Sequence, residues 1–465
     1  MNYISTRNKN NFYSFEDGLY EGLSSDGGLL LPERIPDILI NDLENMHGSS
    51  YIDVAASIIK LYWEDIDELL LRQLLYKSYA SFTNKHIVPV KKLGEFYIAE
   101  LFHGPTLAFK DLAMQFLGNV LEYMNIKENK YINILGATSG DTGSAAIYSV
   151  KGKPHCSVFI LYPHNRISEI QELQMVVHSD KNVNALAIEG SFDDCQYIVK
   201  SIFMDSDFKK LFNLVAVNSI NWVRILSQIV YYFYIYLFVV KKNEIGKPLN
   251  FVVPTGNFGN VFAGYLAKKM GLPIDKLIIA TNENDILKVF ITKGTYKVKN
   301  VRETYSPSMD ITVASNFERY LYYLLDKNDK KVVRLMSELN SRSEINIDES
   351  LLRKVQVDYL SESTTNVETI DTITKIFKEY HYIIDPHTAC GVNAYYKLSQ
   401  FCKSDTVCLA TAHYAKFPEV VEKAIGQKIV LPESISKLIN KEKHFTVLPN
   451  DVSTVKNYLS REAIK

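Results

Sequence analysis
The sequence predicts an α/β protein built on parallel sheets with helices on both faces. Three observations carry that prediction. Short apolar, β-branched runs alternate with helical patterns along most of the chain, as in crossover-connected parallel sheets. Glycine- and hydroxyl-rich loops follow several of these runs, where a parallel sheet presents its ligand-binding edge. The chain has 465 residues, 47% hydrophobic and 23% charged, a globular balance with length for two or three units.

The elements follow in order. Residues 1–80 read as turns and helices. SSDGGLLLPERIP predicts a tight turn entering a short apolar strand, and 51–79 has helical periodicity. From residue 85 the pattern becomes strand, glycine loop, helix. The run 131–135 (YINIL) leads into GATSGDTG and the helical SAAIYSV, while 157–161 (SVFIL) and 214–217 (LVAV) read as buried strands. Next, 249–253 (LNFVV) precedes PTGNFGN and a helix; 277–280 (LIIA) and 406–410 (TVCLA) continue the series. The polar stretch 287–349 reads as an excursion from the main sheet. The apolar run 229–240 (IVYYFYIYLFVV) spans about 18 Å as a helix, short of a bilayer core of ~30 Å. A core helix is expected there.

Composition excludes several classes. Charge sums to −1, so neither nucleic acid nor membrane is expected as a partner, although small anions stay open. The five cysteines are odd in number and never spaced C-x-x-C, as for free thiols in a reducing compartment. No H-E-x-x-H or Cys/His cluster points to a metal. The N-terminus lacks the apolar core of a signal peptide, and a cytoplasmic location is expected.

Four segments can carry chemistry. In Gly256-Asn257-Phe258-Gly259-Asn260, glycines let the backbone approach a ligand and the next helix offers free N–H groups, which suits a phosphate. A plain strand-to-helix turn explains the loop equally well. Residues 136–143 supply the hydroxyls of Thr138, Ser139 and Thr142 and the carboxylate of Asp141 at a helix start, for a carboxylate or phosphate ligand or simply for capping. In 411–417, Thr411 can bond a ring nitrogen and Lys416 can meet an anion, while His413 is equally a structural histidine. Lys110, after three apolar residues and at a predicted helix start, is placed for a depressed, nucleophilic amine; ion pairing or snorkelling is the ordinary alternative.

Taken together, these segments resemble the threonine synthase family of the pyridoxal-phosphate fold type II superfamily, in its longer form. The resemblance runs over nearly the whole chain: YISTR, SSDGGLLLP, HGPTLAFKD, GATSGDTGSAAIY, ILYPHNRISEIQELQM, NSINWVRILSQIVYY, PTGNFGN, SPSMDITVASNFERY, DPHTACG and TAHYAKF. The last loop departs from the usual T-A-H-P-A-K-F at Tyr414. The resemblance implies two parallel-sheet α/β domains plus an N-terminal subdomain: 1–84 as that subdomain, 85–125 with 216–465 as the cofactor domain, and 126–215 as the substrate-loop domain. It implies pyridoxal 5'-phosphate as cofactor, bound through Lys110, which then serves as the acid–base group. Residues 256–260 would cradle its phosphate and Thr411 would face its ring nitrogen. Thr138, Ser139, Asp141 and Thr142 would surround the substrate, with Arg224 and Lys416 as candidates for the substrate phosphate. The implied reaction converts O-phospho-L-homoserine and water to L-threonine and phosphate, in a monomer. A phospho-lyase yielding 2-oxobutanoate, ammonia and phosphate is the rival on the same scaffold. A phosphate-binding transferase and a non-catalytic cofactor-binding relative are more remote.

Overall fold
A computed structural model describes residues 1–464. In chain order the strands begin with β1 (Tyr3–Ser5), β2 (Phe12–Tyr13), β3 (Leu30–Pro32), β4 (Val90–Leu93) and β5 (Phe96–Glu100). Next come β6 (Ile132–Ala137), β7 (Cys156–Pro163), β8 (Val183–Glu189), β9 (Leu214–Val215), β10 (Leu249–Pro254) and β11 (Ile274–Thr281). The last are β12 (Thr295–Lys297), β13 (Glu344–Asn346), β14 (Tyr359–Ser363), β15 (Thr406–Ala410) and β16 (Thr446–Pro449).

Two sheets carry the architecture. The larger has the order β14-β11-β10-β15-β5-β4 and is parallel except for the antiparallel β4–β5 edge. The smaller, β16-β8-β7-β6-β9, is parallel throughout. Every residue of β7 and β10 is buried, because helices cover both faces and leave no polar side to alternate with. A third, antiparallel sheet, β2-β1-β3, forms the N-terminal region.

The predicted helix at 51–79 is two helices, Tyr51–Tyr62 and Glu68–Tyr79; the break lies where Asp67 accepts the N–H of Leu70 and caps the second. The apolar run, all but its last residue Val240, lies in the helix Trp222–Val239, which starts at the Asn221 cap. By length and hydropathy alone this helix is long enough to cross a membrane, but 89% of it is buried inside the protein. The excursion between β11 and β14 holds four helices of eight residues or more and the antiparallel β12–β13 pair. One element departs from the expected division. β16 pairs with β8, and Val455 and Leu459 of the helix Val452–Glu462 pack into the apolar layer of the smaller sheet. The chain end therefore belongs with the smaller sheet, although 216–465 was expected to lie wholly with the larger.

Candidate active site
The site lies where the loops after β6, β10 and β15 converge. After β10, Phe258 takes a left-handed conformation (φ 64°) and caps the helix Gly259–Lys269. A buried ring cluster holds it there, with Phe317 at 5.5 Å and Tyr320 at 5.7 Å. The aromatic packing offsets a backbone cost of about 1–2 kcal/mol. Gly256 admits no side chain, since a Cβ would stand 2.7 Å from the Ser308 carbonyl oxygen. Asn316 holds the loop from behind: its backbone N–H donates to the Asn257 carbonyl at 3.0 Å and its Nδ2 to the same oxygen at 3.1 Å.

After β15, the Phe109 N–H donates to the Thr411 carbonyl at 2.8 Å. That bond sets Lys110, the first residue of the helix Lys110–Glu128, beside the Thr411 loop. Lys110 Nζ donates to Asp141 Oδ2 at 2.8 Å and to Ser308 Oγ at 3.3 Å. Burial lowers the lysine below its ordinary value, against the opposing pull of Asp141. Burial opposes charge on Asp141 as well, but Lys110 and Lys416 outweigh it and hold the carboxyl well below the usual range.

Lys110, Asp141, Thr142, Arg224, residues 256–260 and Thr411 line one cavity together with Gln228, Ser308, Met309 and His387. Three buried polar atoms on its walls lack partners: Arg224 Nε, Gln228 Oε1 and Asn260 Nδ2. Burial pushes the Arg224 guanidinium down to about 10. Buried polar groups are normally paired, so three orphans on residues that line one cavity fit a ligand there, and the two donors among them suit oxygen acceptors. Two predicted residues turn elsewhere. Thr138 Oγ1 accepts the N–H groups of Gly140 and Gly143 at 3.0 and 2.9 Å, bracing its own loop. Lys416 is fully buried behind Asp141, on Asp141 Oδ1 at 3.2 Å, the Thr106 carbonyl at 2.7 Å and Gln174 Oε1 at 2.6 Å. Ser139 is half-buried in the same loop as Thr138. Tyr414 opens the 3-10 turn Tyr414–Lys416, a first helical position at which proline is also suited. Gln228, Ser308 and His387 had only their membership in quoted motifs to single them out.

A buried, depressed lysine amine, a backbone cradle closed to side chains and unpaired donors around one cavity fit pyridoxal phosphate, and the chain is a pyridoxal-phosphate-dependent enzyme of fold type II. Comparison with known proteins makes the assignment particular. Residues 2–79 match the model "Threonine synthase N terminus", 87–350 match "Pyridoxal-phosphate dependent enzyme" and 388–459 match "Threonine synthase, C-terminal". The chain is 42% identical to threonine synthase of Pseudomonas aeruginosa, over 99% of this chain and 98% of that one. It is 44% identical to the Saccharomyces cerevisiae enzyme, over 100% and 98%. The crystal structure of pyridoxal-phosphate-bound threonine synthase from Brucella melitensis superposes with a TM-score of 0.95 at 39% identity, covering both chains completely. The chain belongs to the threonine synthase family.

Proposed function
We propose that the enzyme converts O-phospho-L-homoserine and water to L-threonine and phosphate, with Lys110 as the reacting amine. The observation that carries the reading is the cavity itself: Lys110 lines it together with Arg224 and Asn260, whose Nε and Nδ2 lack partners. The backbone amides of 256–260 and Asn260 Nδ2 hold the cofactor phosphate. Thr411, which lines the same cavity, would offer the ring nitrogen a neutral hydroxyl, which unlike a carboxylate does not favour its protonation. Thr142, Ser139 and the N-terminus of the helix Asp141–Val150 receive the substrate carboxylate, on a loop braced by Thr138. Arg224 Nε takes the substrate phosphate, and Lys416 acts from behind through Asp141.

Bound pyridoxal phosphate supplies an electron sink for negative charge at the substrate α-carbon. Lys110 then moves protons at the α-, β- and γ-carbons as phosphate leaves and water adds at the β-carbon. A depressed amine suits that work, since efficient proton transfer needs a pKa near the working pH. Asp141 keeps a counter-charge when Lys110 turns neutral, because Lys416 still pairs with its other oxygen.

The same reading makes the enzyme a cytoplasmic monomer. It is supported by five unpaired cysteines and by a cavity lined within one chain; light scattering checks the monomer. It takes 1–84 as one unit, 126–215 with the terminal strand as the substrate-side unit, and the remainder as the cofactor unit. For the chemistry, the protein is loaded with pyridoxal phosphate, treated with borohydride and mapped by mass spectrometry. The cofactor mass falls on Lys110, and Lys110→Ala keeps the circular dichroism of the parent without turnover. Normal threonine production by that variant refutes the assignment. Chromatography of the products separates threonine from the 2-oxobutanoate of a phospho-lyase.

A further inference from the structure
We propose that His387, anchored by Asp385, is a positioning residue whose task is to fix Ser308, and that the Ser308 hydroxyl orients the amine of Lys110. The inference rests on the reading of Lys110 as the reacting amine.

Asp385 caps the helix Pro386–Leu398 and is fully buried. One of its oxygens accepts from the Thr388 N–H at 3.1 Å and from the Thr388 hydroxyl. The other accepts from His387 twice, through the backbone N–H at 2.9 Å and through Nδ1 at 2.7 Å. Pairing with a carboxylate puts the imidazole proton on Nδ1 and leaves Nε2 as a lone pair. That lone pair accepts the backbone N–H of Ser308 at 3.2 Å. The Phe417 ring, 5.0 Å away between centroids, limits rotation of the imidazole.

Ser308 needs such a support. It sits in the single 3-10 turn Pro307–Met309, too short to hold itself. Its hydroxyl donates to Asp141 Oδ2 at 3.0 Å and accepts from Lys110 Nζ at 3.3 Å. With its N–H groups directed at Asp141 and Ser308, the lysine nitrogen has a fixed remaining tetrahedral direction, the one its lone pair takes on deprotonation. A helix cap alone requires only Asp385. The imidazole adds nothing to the cap, and it lines the cavity.

The test uses Ser308→Ala, His387→Ala, His387→Gln and the double variant Ser308→Ala/His387→Ala, each saturated with cofactor. Ser308→Ala lowers kcat by about 10- to 100-fold, the size expected for one hydrogen bond to a charged group, with KM within about twofold. His387→Ala falls by a similar factor, and the double variant is no worse than Ser308→Ala, since the histidine acts through that hydroxyl. In His387→Gln the introduced amide oxygen replaces the Nε2 acceptor, so this variant recovers most of the loss. On the cofactor-free protein, hydrogen exchange of peptides spanning 304–312 is faster in His387→Ala and returns to the parent rate in His387→Gln. Multiplicative losses in the double variant, or normal turnover by Ser308→Ala, overturn the inference; if Lys110→Ala is inactive at the same time, the site assignment stands.

Discussion

Gly256→Ala isolates the packing of the loop 256–260, the proposed cofactor cradle. The added methyl meets the Ser308 carbonyl oxygen at 2.7 Å and Met309 Cα at 3.2 Å. Both are backbone atoms, so no side-chain rotation relieves the contact. Ordinary contact at 3.4 Å requires the 307–309 turn to retreat by about 0.7 Å. The turn that must move also carries the Ser308 N–H, 3.2 Å from His387 Nε2, so that bond is disturbed with it. Overpacking of this kind costs about 1–3 kcal/mol, and most of that loss falls on the loop that would hold the phosphate. The apparent Kd for pyridoxal phosphate, from absorbance titration of the cofactor-free protein, therefore rises about tenfold or more. Gly426→Ala is the control: it has nothing within 4 Å, but its φ of 72° imposes backbone strain. It loses about 1 kcal/mol of stability with the cofactor Kd unchanged. Parent-like cofactor affinity in Gly256→Ala would show that the 307–309 turn does not press on the cradle.

Arg319 is fully buried, donating to the Leu30 carbonyl at 2.9 Å, the Ile220 carbonyl at 2.7 Å and Asn316 Oδ1 at 2.5 Å. Arg319→Met strands three buried acceptors, for a loss of about 3 kcal/mol or more, seen as a lower denaturation midpoint together with weaker cofactor binding. A midpoint within a degree of the parent refutes it. Acid stability turns on buried histidines. Burial and nearby positive charge push His178 and His413 down to about 4, below an unfolded value of ~6.5. Their contribution is complete above pH 6.5 and is lost as pH falls toward 4, at up to about 3 kcal/mol each. Burial raises Asp111 to about 6, which works oppositely and offsets roughly one histidine over the same window. Thermal midpoints thus fall between pH 6.5 and 4, and His178→Asn flattens the fall; an unchanged slope in that variant removes His178 from the account.

The strands most legible in the sequence were those buried on both faces. The runs later found as β6, β7, β10, β11 and β15 are β-branched or apolar almost without interruption. β5 and β14 were not singled out because they carry charge: FYIAE ends in Glu100, which pairs with Lys91 at 2.7 Å, and YLSES lies at the sheet edge. In the site, residue type identified donors without giving their direction. Thr138 and Lys416 have the right groups, but each is satisfied by its own surroundings. Ser308 and His387 lie in quoted motifs, but nothing in the residues around them indicates a role. Their roles come from tertiary placement, 198 and 277 residues beyond Lys110 in the chain.

The N-terminal region, none of whose residues is among those lining the cavity, is tied to the site through the segment 316–319. Thr6 Oγ1 donates to Glu318 Oε1 at 2.6 Å, and Arg7 grips the same carboxylate at 2.9 and 2.8 Å. The neighbouring Arg319 takes the carbonyl of Leu30 in β3 and, through Asn316, supports the carbonyl of Asn257 in the cradle. The path from YISTR to the loop 256–260 thus runs through three buried side chains, Glu318, Arg319 and Asn316, the first two adjacent in sequence and facing different partners. A net charge of −1 never bore on this arrangement. On the proposed reading, anion binding would depend on a few unpaired donors, and the hydrogen bonds from the N-terminal sheet hold the segment that backs them.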